Sequence, residues 1–116
     1  NWLNTWKLRG QKIKDDAETL RYKGKKLTEI GGQIKRVKDV QGQFMGIFFI
    51  PKSERKKIIK YILDKKYKKK QITYFLNSLI NNGETVEIFK YWGNWYEIDN
   101  IKDLKQYQKY LDERFS

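Results

Sequence analysis

Trp95-Tyr96-Glu97-Ile98-Asp99-Asn100 is the stretch of this sequence whose layout best suits chemistry. It reads as a short strand over Trp95 to Ile98 that delivers Asp99 to its C-terminal end, directly before a helix beginning at Asn100. Ligands of open α/β sheets gather at the C-terminal ends of strands, and helix N-termini favour anions. A carboxylate at that point can hold Mg²⁺ while the metal bridges phosphate oxygens. Glu97 and Asp99 fall on one face, because strand side chains alternate with period two. The alternative is that Asp99 or Asn100 only caps the final helix, the usual work of Asx residues at such a boundary.

Two other groups could touch a ligand. Asp15-Asp16-Ala17-Glu18-Thr19 is acidic within a basic stretch, and its carboxylates at a strand entrance suit amines or hydroxyls, or else balance nearby lysines. In Gly42-Gln43-Phe44-Met45-Gly46, glycine within a strand lets a ligand or another backbone come close, or else marks a bulge.

The elements that must position these groups follow from periodicity and punctuation. Ala17 to Tyr22 and Lys25 to Ile30 flank Lys23-Gly24 and read as a β-hairpin, with Gly31-Gly32 ending the second strand. Gln43 to Ile50 is a strong apolar strand stopped by Pro51. Ser53 can cap a helix running to about Lys65 or Lys66, with Ile58, Ile59, Ile62 and Leu63 in one stripe and lysines opposite. Gln71 to Asn81 is a second helix, buried through Ile72, Phe75, Leu76, Leu79 and Ile80, and stopped by Asn82-Gly83. Thr85 to Tyr91 alternates as a strand. Asn100 can cap a last helix to about Glu113, with Asp103 at its third position and Leu104, Tyr107 and Leu111 inward. Strands mixed with helices indicate an α/β layered fold, and no composition break divides residues 1–116 into two domains.

Composition removes several classes. The 116 residues carry 26 Lys+Arg against 14 Asp+Glu, a net charge of +12. With 39% hydrophobic and 16% aromatic residues, this is no disordered basic tail. The absence of Cys excludes disulfides and thiolate chemistry, and the absence of His excludes imidazole catalysis and His-ligated metals. Met45 to Pro51 is the longest apolar run, far short of the ~20 residues that span a bilayer, so a cytoplasmic protein without a membrane partner is expected. Any catalysis must rest on carboxylates, Lys, Arg, backbone dipoles or a hard cation held by oxygen. Ten basic residues lie between Lys52 and Lys70. They could track a phosphate backbone, yet Lys outnumbers Arg 21 to 5, which favours a solvated face over bidentate nucleic-acid recognition.

Trp6-x-x-Arg9, Asp16-Ala17-Glu18-Thr19, Leu27-Thr28-Glu29-Ile30-Gly31 and Gln41-Gly42-Gln43-Phe44-Met45-Gly46 occur in an order that resembles the second half of sugar-phosphate nucleotidyltransferase-like proteins. The resemblance continues through Ile72-Thr73-Tyr74-Phe75-Leu76-Asn77 and closes on Glu97-Ile98-Asp99-x-x-x-Asp103-Leu104. The nearest branch is the small cytidylyltransferases acting on phosphocholine, aminoethylphosphonate or similar phosphorylated compounds. The resemblance implies a layered α/β/α, Rossmann-like (glycosyltransferase-A-like) fold with a mixed sheet. It implies transfer of a nucleotidyl group, cytidylyl in the nearest branch, from a nucleoside triphosphate to a phosphorylated small molecule or sugar phosphate, for cell-surface polysaccharide or lipid decoration. By the same resemblance, Asp99 supplies a carboxylate to the cofactor Mg²⁺, while Asp16, Glu18 and Gln43 border the acceptor pocket and Arg9 contacts its phosphate.

The family's Gly-x-Gly-x-Arg loop followed by Pro-Lys has no counterpart here, since Pro51-Lys52, the one Pro-Lys pair, follows an apolar strand. The expectation is therefore an acceptor-side, C-terminal half over 1–116, with the N-terminal nucleotide-binding half absent from this chain. The absent half, or self-association, would cover the apolar sheet edge. Two other readings stand beside it: a nucleic-acid-binding module built on Lys52–Lys70, and a degenerate relative kept for protein–protein contact.

Overall fold

Glycine turns and bends the two-stranded sheet found among the described residues. The computed structural model describes residues 17–115, and the chain divides into two compact units, Glu18–Phe89 and the two chain ends 1–17 with 90–116. In the first unit β1 (Glu18–Lys23) pairs antiparallel with β2 (Lys26–Gln33), and Gly24 turns the hairpin at φ 61°. The hairpin is as the sequence predicts, but β2 does not stop at the glycine pair. The register shifts between Glu18 and Leu20, so one extra residue of β2 is absorbed at Gly31-Gly32 and the strand continues. Gly31 sits at φ 81°, where a Cβ would lie 3.0 Å from the Thr73 side chain. A Cβ on Gly32 would lie 2.7 Å from Thr19 Oγ1, which accepts the Gly32 N–H at 2.9 Å.

Both outer edges of the hairpin receive a short length of irregular chain. Val40 bridges Leu20 in parallel, and the Gln41 N–H donates to the Leu20 carbonyl at 2.8 Å. On the other edge Lys26 bridges Glu87 antiparallel, with Leu27 N–H to Val86 O at 2.9 Å and Ile88 N–H to Lys25 O at 2.7 Å. The strand predicted over Thr85 to Tyr91 is thus reduced to one bridge, and that predicted over Gln43 to Ile50 does not form. A strand is made by its ladder, and Ile47 and Phe49 are exposed rather than paired into a sheet.

A 3-10 turn at Lys52–Glu54 leads into α1 (Arg55–Leu63), so Ser53 lies inside the turn and does not cap the helix as expected. Helix α1 ends before Lys65 because Asp64 is extended, and its carboxylate accepts the Lys66 N–H at 3.0 Å to open the turn Lys65–Tyr67. That backbone N–H, with the Lys66 ammonium beside it, holds the Asp64 carboxyl below its ordinary value. The predicted stripe of α1 is split. Ile58 and Tyr61 pack on the core, whereas Ile59, Ile62 and Leu63 face out. In this rotation the Glu84 carboxylate takes Lys57 Nζ at 2.6 Å and Tyr61 OH at 3.5 Å. Hydrogen bonds that Lys57 donates to Glu54 and then to Glu84 raise its pKa above the usual value.

Helix α2 (Ile72–Asn81) fills the core as its spacing predicts, with Phe75, Leu76 and Leu79 buried against Leu27 and Ile30 of β2 and Tyr67. The Tyr67 ring meets Phe75 edge-on at 5.3 Å. Gly83, at φ 83°, ends the helix by donating to Ile80 O. In the unit of the chain ends, the described residues form α3 (Ile101–Phe115) and the irregular segment 90–100 before it. The strand predicted over Trp95 to Ile98 is absent there. Tyr107 is buried on α3 as expected, but Asp103 is buried too and Leu104 is exposed, because capping turns the Asp103 position inward. The described residues therefore give a mixture of helices and a two-stranded sheet.

Gly31→Ala should cost about 2 kcal/mol or more, combining left-handed strain with overpacking against Thr73. Gly24→Ala, with nothing within 4 Å, should cost only the strain, about 1 kcal/mol. Urea denaturation of the two variants checks this, and equal losses would show that β2 does not rest on α2 at Gly31.

Candidate functional site

The start of α3 is built by side chains that take backbone N–H groups. Asn100 Oδ1 accepts the Asp103 N–H at 3.0 Å, the N-cap bond, and the Leu104 N–H reaches Asn100 O at 3.2 Å. Asp103 returns the favour one residue further out, its Oδ2 accepting the Asp99 N–H at 3.1 Å. This is the capping box expected from Asn100 and Asp103, displaced by one residue. Asp103 is 1% exposed, a buried carboxylate held by a backbone donor where the helix dipole favours negative charge.

Aromatic packing fixes the segment leading in. The Tyr96 ring lies edge-on to Tyr107 at 5.0 Å and tilted to Tyr110 at 6.4 Å. Residues 96 and 99 are thus both anchored to α3, one by its ring and one by its backbone. The consequence is an exposed Asp99 carboxylate at the N-terminus of a 15-residue helix. Glu97 is half-buried and Asp99 exposed, and the strand on which their shared face was predicted does not form. Among the described residues no cluster of three or more acidic ligands forms. Asp99 offers one carboxylate, which fits the way Mg²⁺ is commonly held, by one or two carboxylates with water and substrate phosphates.

The acceptor-side residues fall in several places. Arg9 and Asp16 lie outside the described residues. Glu18 opens β1, half-buried and opposite Gln33. Gln43 is half-buried, three residues beyond the Val40 bridge. The bridge from Leu20 to Val40 lays the two segments side by side, but in parallel, with Glu18 before the bridge and Gln43 after it. Glu18 stands two residues before the bridge and Gln43 three residues after it.

Sequence reasoning missed the residues that hold these segments. Gln41 Oε1 accepts the Tyr22 N–H at 2.6 Å, extending the edge of β1 with a side chain. Asn77 Oδ1 accepts the Ile30 N–H at 3.2 Å from the middle of α2. The signal for Asn77 was available, as a polar residue set among the apolar positions of a buried helix face. Asp39, buried and 3.5 Å from Arg36, closes the turn that brings Val40 to Leu20, and nothing in its local pattern singled it out.

The chain is similar to the CTP:phosphoglutamine cytidylyltransferase of Campylobacter jejuni subsp. jejuni serotype O:2, at 30% identity over 117 aligned residues. The alignment takes in 90% of this chain and 45% of that protein, so the chain spans less than half the length of the curated relative it matches. No family model matches the chain. No solved structure matches it either. The relative agrees with the expected kind of transferase, but the acceptor in its name is phosphoglutamine, not phosphocholine or aminoethylphosphonate. No described helix is long and apolar enough to cross a membrane.

Asn100→Ala should remove the cap acceptor and lower stability by about 1 kcal/mol. Asp99→Asn keeps the backbone N–H that Asp103 accepts, and should shift the midpoint by less than about 0.5 kcal/mol. Thermal or urea unfolding of the pair distinguishes them. An unchanged Asn100→Ala variant would dispose of the cap.

Proposed function

We propose that this chain forms the acceptor-side part of a Mg²⁺-dependent cytidylyltransferase. In the reaction an oxygen of a phosphorylated small molecule or sugar phosphate attacks the α-phosphorus of CTP. A new P–O bond forms, the bond to the β-phosphate oxygen breaks, and pyrophosphate leaves with that electron pair. The observation that carries this reading is the match to a cytidylyltransferase along nine-tenths of the chain. The exposed carboxylate at the start of α3 supports it, because phosphoryl chemistry depends on positioning and electrostatics and needs neither His nor Cys.

Asp99 is the residue assigned to the metal. When bound, Mg²⁺ would neutralise charge on the phosphate oxygens. The work of the chain is to hold that carboxylate still: Asp103 fixes the backbone of Asp99, Asn100 fixes Asp103, and Tyr96 anchors the approach on Tyr107. Glu18 and Asp16 carry charge suited to amines or hydroxyls of the acceptor, Gln43 offers both a donor and an acceptor, and Arg9 suits its phosphate. The layered α/β/α arrangement, a cytoplasmic setting and a role in decorating surface polysaccharide or lipid belong to the same proposal.

The intact protein, given CTP, Mg²⁺ and phosphorylated acceptors that include phosphoglutamine, should release pyrophosphate. Asp99→Asn should lower turnover by about a hundredfold or more while the protein stays folded. Retained turnover in that variant would remove Asp99 from the reaction, and no pyrophosphate with any triphosphate would remove the transferase reading itself.

A further inference from the structure

Helix α1 has apolar side chains on two sides and a core on only one. Ile58 and Tyr61 pack inward, while Ile59, Ile62 and Leu63 are 52%, 50% and 76% exposed. At 100° per residue, Ile62, Ile59 and Leu63 form one continuous outward strip, and Lys56 and Lys60 lie along its flank. Three exposed aliphatic side chains on one short helix are not needed for folding, because the core contacts are made by the other face.

The charge around the strip is strongly of one sign. Between Lys52 and Lys70 ten basic residues face two acidic ones, Glu54 and Asp64. Both acidic groups are engaged, Glu54 by Lys57 at 2.6 Å and Asp64 by Lys66 at 3.3 Å. The remaining basic side chains of the run have no carboxylate partner among the described residues, and all ten are exposed.

We propose that the outward face of α1, with the lysine run that follows it, docks this protein on the surface of an anionic lipid bilayer. The helix would lie in the plane of the headgroups, with Ile59, Ile62 and Leu63 against the acyl boundary. Lys56 and Lys60 reach phosphates beside the strip, their methylene stems lying along apolar surface and their ammonium groups in water. This is surface attachment and requires no spanning helix. Nucleic acid accounts for the lysines, but not for an aliphatic strip at their centre. A solvated helix face leaves the strip equally unexplained. The proposal stands apart from the transferase reading and does not depend on it.

Flotation of the intact protein with vesicles tests it. Vesicles of phosphatidylglycerol and phosphatidylethanolamine should carry the protein upward at low salt, and vesicles of phosphatidylcholine should not. Ile59→Ala with Leu63→Ala, and separately Lys56→Glu with Lys60→Glu, should each weaken the partitioning by about tenfold or more. All four positions are exposed, and alanine keeps helix propensity, so circular dichroism should show both variants folded. Full binding by the alanine variant would mean that charge alone attracts the vesicle, and would overturn the docking face. An absence of flotation with anionic vesicles would overturn it as well, as would tight binding to a single-stranded oligonucleotide that prevents vesicle binding.

Discussion

The unit of Glu18–Phe89 depends on how closely the backbone of β2 approaches helix α2. At Gly31 the strand comes so near Thr73 that a methyl group would sit 3.0 Å from its Cβ, and the left-handed φ of that residue is what turns the bulge. One residue earlier the Ile30 side chain enters the core with Phe75, Leu76 and Leu79, while its N–H goes to Asn77. Apolar burial and backbone satisfaction thus meet in two successive residues of one strand. A hairpin alone is marginal in water, and it is this contact with α2 that gives it a buried face.

A second regularity runs through both units: backbone donors that no strand partner reaches are taken by side chains. Asn77 takes the N–H of Ile30, Thr19 that of Gly32, Gln41 that of Tyr22 and Asp103 that of Asp99. Each such bond adds only about 1 kcal/mol net, but a buried donor left unpaired costs about 1–3 kcal/mol. The short two-stranded sheet is therefore stable without long ladders on either side. The same device places Asp99, since Asp103 holds its backbone and leaves the segment before α3 with a defined direction.

Helices were legible in the sequence because their signals are local. The apolar spacing of α2, its Asn82-Gly83 stop and the Asn100 start of α3 all lie within a few residues of the boundaries they set. The hairpin was legible for the same reason, through Gly24. Strands at Gln43 to Ile50, Thr85 to Tyr91 and Trp95 to Ile98 were not, because an apolar alternating run becomes a strand only when another backbone is there to pair with it. The facing of α1 was equally hidden. Ile58, Ile59, Ile62 and Leu63 make a plausible stripe, but the partners that divide it lie far along the chain: the core residues that receive Ile58 and Tyr61, and Glu84, 27 residues from Lys57. At the candidate site the Asx boundary showed where Asp99 would stand, but the relation of Glu97 to Asp99 rested on a strand that does not form.

The charge near Asp99 bears on what can approach it. Residues 95–103 hold three carboxylates, Glu97, Asp99 and Asp103, and one lysine, Lys102. The dipole of α3 and the N–H bond from Asp99 offset the buried Asp103, while Asp99 is exposed. A phosphate brought beside Asp99 meets like charge, at a cost of about 1 kcal/mol at 4 Å in water and about 4 kcal/mol at a partly screened protein surface. The N-terminus of a helix offsets only about half an elementary charge. On the proposed reading, Mg²⁺ held at Asp99 would offset that repulsion at the contact itself.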